Sequence, residues 1–184
     1  SIDGARIFNA SVATKTSLHR MTRDYDSVSI CLSKGLGAPV GSVLVGSQDF
    51  IDQAHRWRKM FGGGMRQSGI LAAAGIYALE NNVQRMEDDH RRARAIAQAI
   101  DEMDHVSVDL DAVQTNMVYF AANKYSASEV SQKMAEAGID MFDISPTHCR
   151  IVTHLHITDE DVNKVIEVLS LSLIHISEPT RRPI

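Results

Sequence analysis

An α/β fold, in which a parallel-sheet domain is followed by a smaller α+β domain, is predicted by three features of the chain. The run Val28-Ser29-Ile30-Cys31-Leu32 has the length and β-branched content of a buried strand. Over residues 1–82 the pattern reads strand, helix, strand, loop, strand, helix, which is the rhythm of a sheet covered by helices. From Val83 the chain alternates charge with alanine and isoleucine, so the first domain is expected to span 1–82 and the second 83–169.

After the first strand, Ser42-Val43-Leu44-Val45-Gly46 reads as a second one, and Phe50 to Phe61 as a helix that runs into Gly62-Gly63-Gly64. Ser68 to Leu79 is so rich in alanine and apolar residues that a largely buried helix is expected, packed on the sheet or against a second subunit. A helix from Val83 to Met103 opens the smaller domain. Val106-Ser107-Val108 and Asn116 to Ala121 follow as strands, and Ser128 to Ala137 is an amphipathic helix stopped by Gly138.

Composition narrows the function classes. Of 184 residues 44% are hydrophobic and the formal net charge is −4, with no apolar run long enough to cross a bilayer. Neither a membrane nor a nucleic-acid surface is suggested. Two cysteines, Cys31 and Cys149, make no disulfide framework and fit a reducing cytoplasm.

Lys34 carries the chemistry. It follows the end of the first apolar strand, where side chains of α/β folds reach into the ligand crevice, and Gly35, Gly37 and Gly41 let backbone pass close by. A lysine there can lose its proton by desolvation or beside another cation, and the free amine can form a Schiff base with a carbonyl cofactor. An Asp from a neighbouring strand, with Asp3 the candidate, could keep a pyridine nitrogen protonated, so pyridoxal phosphate is the expected cofactor. A solvated strand-end lysine is the competing reading. A dinucleotide loop is not: the third glycine of Gly35-Leu36-Gly37-Ala38-Pro39-Val40-Gly41 is one residue late, and Pro39 sits where the helix should begin.

Two further clusters need weighing. Glu87-Asp88-Asp89-His90-Arg91-Arg92 reads as a solvated helix face laced by i,i+4 pairs rather than a metal or phosphate site. His154 and His156 are expected on one face of a strand, where a zinc pair is conceivable, but no further ligand spacing completes it, and no metal is expected. Arg150 is the better functional candidate, because a guanidinium fork suits bidentate capture of a carboxylate. A surface ion-pair arginine is its alternative.

Three segments resemble low-specificity L-threonine aldolase: Asp3-Gly4-Ala5-Arg6-Ile7-Phe8-Asn9-Ala10, the stretch Cys31 to Ser42, and Arg58 to Gly69 with its Gly62-Gly63-Gly64-Met65-Arg66-Gln67 core. Their order and spacing match, and Arg150-Ile151-Val152-Thr153-His154-Leu155 resembles the same family's ending. The resemblance runs from Ser1 to Leu169 and implies a C-terminal fragment of a fold-type I pyridoxal phosphate enzyme, the aspartate-aminotransferase-like group. The preceding part of such enzymes carries a Gly-rich phosphate cradle and a histidine stacked on the cofactor ring.

What the resemblance implies is a lyase that cleaves L-threonine or L-allo-threonine, a β-hydroxy-α-amino acid, to glycine and acetaldehyde through a Lys34 Schiff base. Asp3 would hold the pyridinium, Ser33, Lys59 and Arg66 the phosphate, and Arg6 and Arg150 the substrate carboxylate. Lys59, Arg66 and Ser33 have plain surface roles as alternatives. The base for the β-hydroxyl proton is implied to lie near the histidine outside this chain. A cytoplasmic homo-oligomer, dimer or tetramer, is implied too. Another enzyme of the same fold, an aminotransferase or hydroxymethyltransferase, and a non-catalytic fragment that only associates, are the other readings. Residues 170–184, with their Leu171-Ser172-Leu173-Ile174-His175 opening, resemble translated sequencing-adapter read-through and are expected to be a non-native tail.

Overall fold

The computed structural model describes residues 1–175, which fall into two compact units, Ser1–Glu87 and a second from Asp88 onward. In the first unit, β1 (Ile2–Asp3) leads through Gly4 into α1 (Ile7–Thr14), and α2 (Leu18–Thr22) starts where the Ser17 hydroxyl accepts the Arg20 N–H. Next come β2 (Ser27–Cys31), β3 (Ser42–Gly46), α3 (Gln48–Met60) and α4 (Gly69–Asn81).

The strand order is β1-β2-β3. β1 runs parallel to β2, with Ile2 opposite Val28 and Asp3 opposite Ser29. β3 runs antiparallel to β2, with Cys31 opposite Ser42 and Ser27 opposite Gly46. This sheet is therefore mixed rather than purely parallel, because the short connection 32–41 folds β3 straight back as a hairpin, whereas a parallel neighbour needs a crossover. Its core gathers Ile7 and Phe8 of α1, Val28, Leu36, Ala38, Ala78 and Met86.

The helix expected over 68–79 to be largely buried, on the sheet or against a second subunit, is covered by its own chain only along one stripe. Only Gly75 and Ala78 of α4 are buried, while Ile70 is 85% and Tyr77 64% exposed. A helix apolar on all sides still buries only the stripe that meets a neighbour within its own chain. Val43, Leu44 and Val45 of β3 are exposed for the same reason, and Ser29, Ile30 and Cys31 leave β2 only half-buried.

In the second unit, α5 (Met86–Asp101), β4 (Val106–Val108), β5 (Met117–Ala122), α6 (Ala127–Glu136), β6 (Phe142–Asp143), β7 (His148–Val152) and α7 (Asp159–His175) follow in order, with a short 3-10 turn at Leu110–Ala112. Four antiparallel strands lie in the order β4-β5-β7-β6. Helix residues Ala93, Ile96, Ala97 and Ile100, Val130 and Met134, and Val162 and Leu169 pack with Val118, Phe120 and Ile151 of the strands. α6 begins with a capping box in which Ser126 and Glu129 exchange bonds, and Arg91 and Arg92 both reach Asp159 at the start of α7.

No helix among the described residues is long and apolar enough to cross a membrane. The tail expected over 170–184 enters the end of α7 as far as His175 and otherwise lies outside the described residues.

Candidate active site

Asp3 is the last residue of β1 and Lys34 lies three residues beyond the end of β2, its parallel neighbour. Both therefore issue from the C-terminal ends of adjacent parallel strands, the edge at which open α/β sheets bind ligands. Both are exposed. The Asp3 carboxylate is oriented by its own chain: its Oδ1 accepts the Ala5 N–H at 3.0 Å. Gly4 allows the close fit behind it, because a Cβ there would stand 2.7 Å from the Ser29 carbonyl oxygen.

The connection that carries Lys34 is tied at both ends and in the middle. Leu32 donates to Gly41 O at 3.0 Å and Ala38 to Leu32 O at 3.0 Å, while Gly37 donates to Lys34 O at 2.8 Å to close a turn. The Leu36 side chain is 1% exposed and joins the core, and its carbonyl accepts the Asn82 side-chain amide at 2.7 Å. Ser33 stands exposed beside Lys34, and Arg6 is half-buried at the N-cap of α1.

Lys59 and Arg66 flank a turn whose geometry is set by Gly62. Its φ of 83° ends α3, and the bonds Gly62 N–H to Lys59 O and Gly63 N–H to Arg58 O complete a Schellman motif. The chain reverses there, so His55, Arg56, Arg58, Lys59 and Arg66 line one open cleft of about 570 Å³. Four guanidinium or ammonium groups around one cleft make it a place for an anion.

Arg150 lies in the second unit, at the middle of β7, with Tyr119 opposite it on β5 and Phe142 opposite it on β6. Its guanidinium carbon is 5.0 Å from the Phe142 ring centre, and its Nε is buried without a hydrogen-bond partner. An unsatisfied buried donor of a charged group is costly, and a carboxylate is the partner its fork fits. The neighbouring Cys149 is no nucleophile, since burial pushes its thiol up to about 11.

His154 and His156 do not lie on a strand, which corrects the sequence expectation. β7 stops at Val152, and the two rings meet edge to face at 5.7 Å in the following turn. Just beyond β7, Thr153 is held on several sides: its N–H donates to Asn116 O at 3.0 Å, its carbonyl accepts Asn116 Nδ2 at 2.7 Å, and its Oγ1 donates to Asp89 O at 2.7 Å.

Sequence reasoning missed Asn82 and Phe142. Asn82 carries a weak signal as the second member of an Asn-Asn pair at a helix end, whereas Phe142 sits in a strand of two residues, too short for any periodicity.

For pyridoxal phosphate, the first unit offers an amine and a carboxylate at adjacent strand ends and a hydroxyl beside the amine, which fit the group, while the cationic cleft lies at the end of α3.

Comparison with known proteins gives the family and the fold. The low-specificity L-threonine aldolase 1 of Arabidopsis thaliana is 41% identical over 183 residues, covering 98% of this chain and 51% of that protein. The low specificity L-threonine aldolase of Escherichia coli strain K12 is 48% identical over 164 residues, covering 89% of this chain and 48% of its own length. The chain thus spans about half the length of these relatives. Among solved structures, Listeria monocytogenes lmo0305 superposes with a TM-score of 0.73 at 20% identity, over 92% of this chain and 51% of that one. Serine palmitoyltransferase of Sphingomonas wittichii gives 0.68 at 16% identity, over 83% and 41%. These two show a shared fold, that of the fold-type I pyridoxal phosphate enzymes. The model of the beta-eliminating lyases matches residues 1–123, and the chain belongs to the beta-eliminating lyase family.

Proposed function

We propose that this chain is the lysine-bearing part of a pyridoxal phosphate-dependent lyase that cleaves L-threonine and L-allo-threonine to glycine and acetaldehyde. The observation that carries the reading is the emergence of Asp3 and the Lys34 connection from the C-terminal ends of adjacent parallel strands. The names of the Arabidopsis and Escherichia coli relatives supply the substrate.

Lys34 would hold the cofactor through its amine, and Asp3 would keep a proton on the ring nitrogen. Ser33 would donate a hydrogen bond to the phosphate, and Lys59 and Arg66 would neutralise its charge. When bound, pyridoxal phosphate supplies an electron sink for the pair released as the Cα–Cβ bond breaks. Arg6 and Arg150 are the carboxylate binders in this reading. Their task is orientation, which selects the bond to be broken. The orphaned Arg150 Nε supports its part.

A cytoplasmic homo-oligomer, dimer or tetramer, completes the proposal. The exposed apolar residues of α4 and β3 support association with further polypeptide.

The test is covalent trapping. The chain is mixed with pyridoxal phosphate, reduced with borohydride and digested, and the modified lysine is mapped by mass spectrometry beside Lys34→Ala. Label concentrated on Lys34 and lost in the variant is expected. Label spread evenly over the lysines, or none, overturns the reading.

A further inference from the structure

We propose that Asn82 and Asn9 are positioning residues that hold the Lys34 connection in place for covalent capture of a carbonyl cofactor, an inference that rests on the function proposed above. Neither amide belongs to the cofactor or substrate contacts of that reading. Both act on the two residues that follow Lys34.

Asn82 caps α4 and is half-buried, and its Nδ2 donates to the Leu36 carbonyl at 2.7 Å. Its neighbour Asn81 bonds instead to Tyr77 O within its own helix, so only one of the pair looks inward. Asn9 of α1 is 1% exposed. A Cβ placed on Gly35 would stand 2.9 Å from Asn9 Oδ1 and 3.3 Å from Met86 Cε, so the backbone next to Lys34 lies directly against the buried amide. With the Gly37 N–H on Lys34 O, three constraints fall within three residues of the lysine.

Those constraints matter because lysine is a flexible stem. Four methylenes let Nζ wander, and a displacement of about 1 Å at a reacting group can cost two orders of magnitude in rate. A fixed Cα narrows what Nζ can reach. Gly35, read from sequence as permissive backbone, is here a steric requirement of Asn9.

The experiment uses the 184-residue chain. Each protein is incubated with sub-saturating pyridoxal phosphate and reduced with borohydride, and label on Lys34 is divided by label on the exposed Lys15 and Lys124. Asn82→Asp keeps size and removes the donor. It should lower the ratio on the order of tenfold while a cooperative melt persists, the loss of one part-buried hydrogen bond that positions the amine. Gly35→Ala should lower it likewise, and Asn9→Ala, which keeps the glycine and removes the amide, should lower it too. A drop in the ratio at an unchanged melting midpoint separates positioning from loss of stability.

A wild-type ratio near one sinks the cofactor reading and this inference together. Wild-type preference for Lys34 that survives both Asn82→Asp and Gly35→Ala sinks this inference alone. Should Asn82→Asp fail to fold, Gly35→Ala and Asn9→Ala decide.

Discussion

The guanidinium of Arg150 lies over the ring of Phe142, with its central carbon 5.0 Å from the ring centre, and the two residues face each other across β7 and β6. Directly opposed residues of an antiparallel pair project on one face, so the register itself delivers the stack. The ring orients a fork whose Nε has no partner.

Phe142→Leu should therefore weaken carboxylate capture by Arg150 about three- to tenfold, the range expected for losing a cation–π contact. Titration of glycine or acetate, followed on the Arg150 Nε–H resonance, checks it. Phe142→Trp should restore the affinity, which a packing role alone would not require.

Asp159 predicts a pH dependence for the second unit. Hydrogen bonds from Arg92 and then Arg91 hold its carboxyl below the ordinary 3.8. A carboxyl lowered on folding contributes stability above its unfolded value, and that contribution fades as pH falls through the lowered folded value. Thermal melts of the wild type and Asp159→Asn should differ near neutral pH and converge in acid below 3.8. A gap that persists there would show that the ion pairs are not its cause.

Cys149 should be silent towards thiol reagents. Burial places its pKa at about 11, and its Sγ faces Ala127 O at 3.6 Å. Ellman's reagent at pH about 8 should titrate Cys31 in the folded chain and both thiols only in denaturant.

The start of α6 offers a stability test. Ser126 Oγ accepts the Glu129 N–H at 3.2 Å, and Glu129 returns a bond to the Ser126 N–H at 2.8 Å. Ser126→Ala should cost about 1 kcal/mol, read from the urea midpoint at unchanged slope.

Much of this was legible in the residues. Helices α3, α5 and α6 follow from periodicity and end signals, and β2, β3, β4 and β5 from short apolar runs between breakers. Lys34 and Asp3 stand where a strand-end argument puts them. What escaped the sequence depends on partners distant in the chain. Ile70 and Tyr77 announce an apolar helix but not what covers it. His154 and His156 continue an alternating pattern on paper, and only the structure shows that β7 stops at Val152. Asn82 shows its role only once Leu36, far away in sequence, is beside it.

The hairpin between β2 and β3 has a kinetic corollary. Its connection spans only residues 32–41, so the turn presenting Lys34 closes with little loss of chain entropy. Asp3 arrives at the same edge only when Ile2 finds Val28, across α1 and α2. Contacts local in sequence form ahead of distant ones. The turn carrying the lysine is therefore expected to form before β1 pairs with β2, an order that hydrogen exchange during refolding would read at the amides of Gly37 and Gly4.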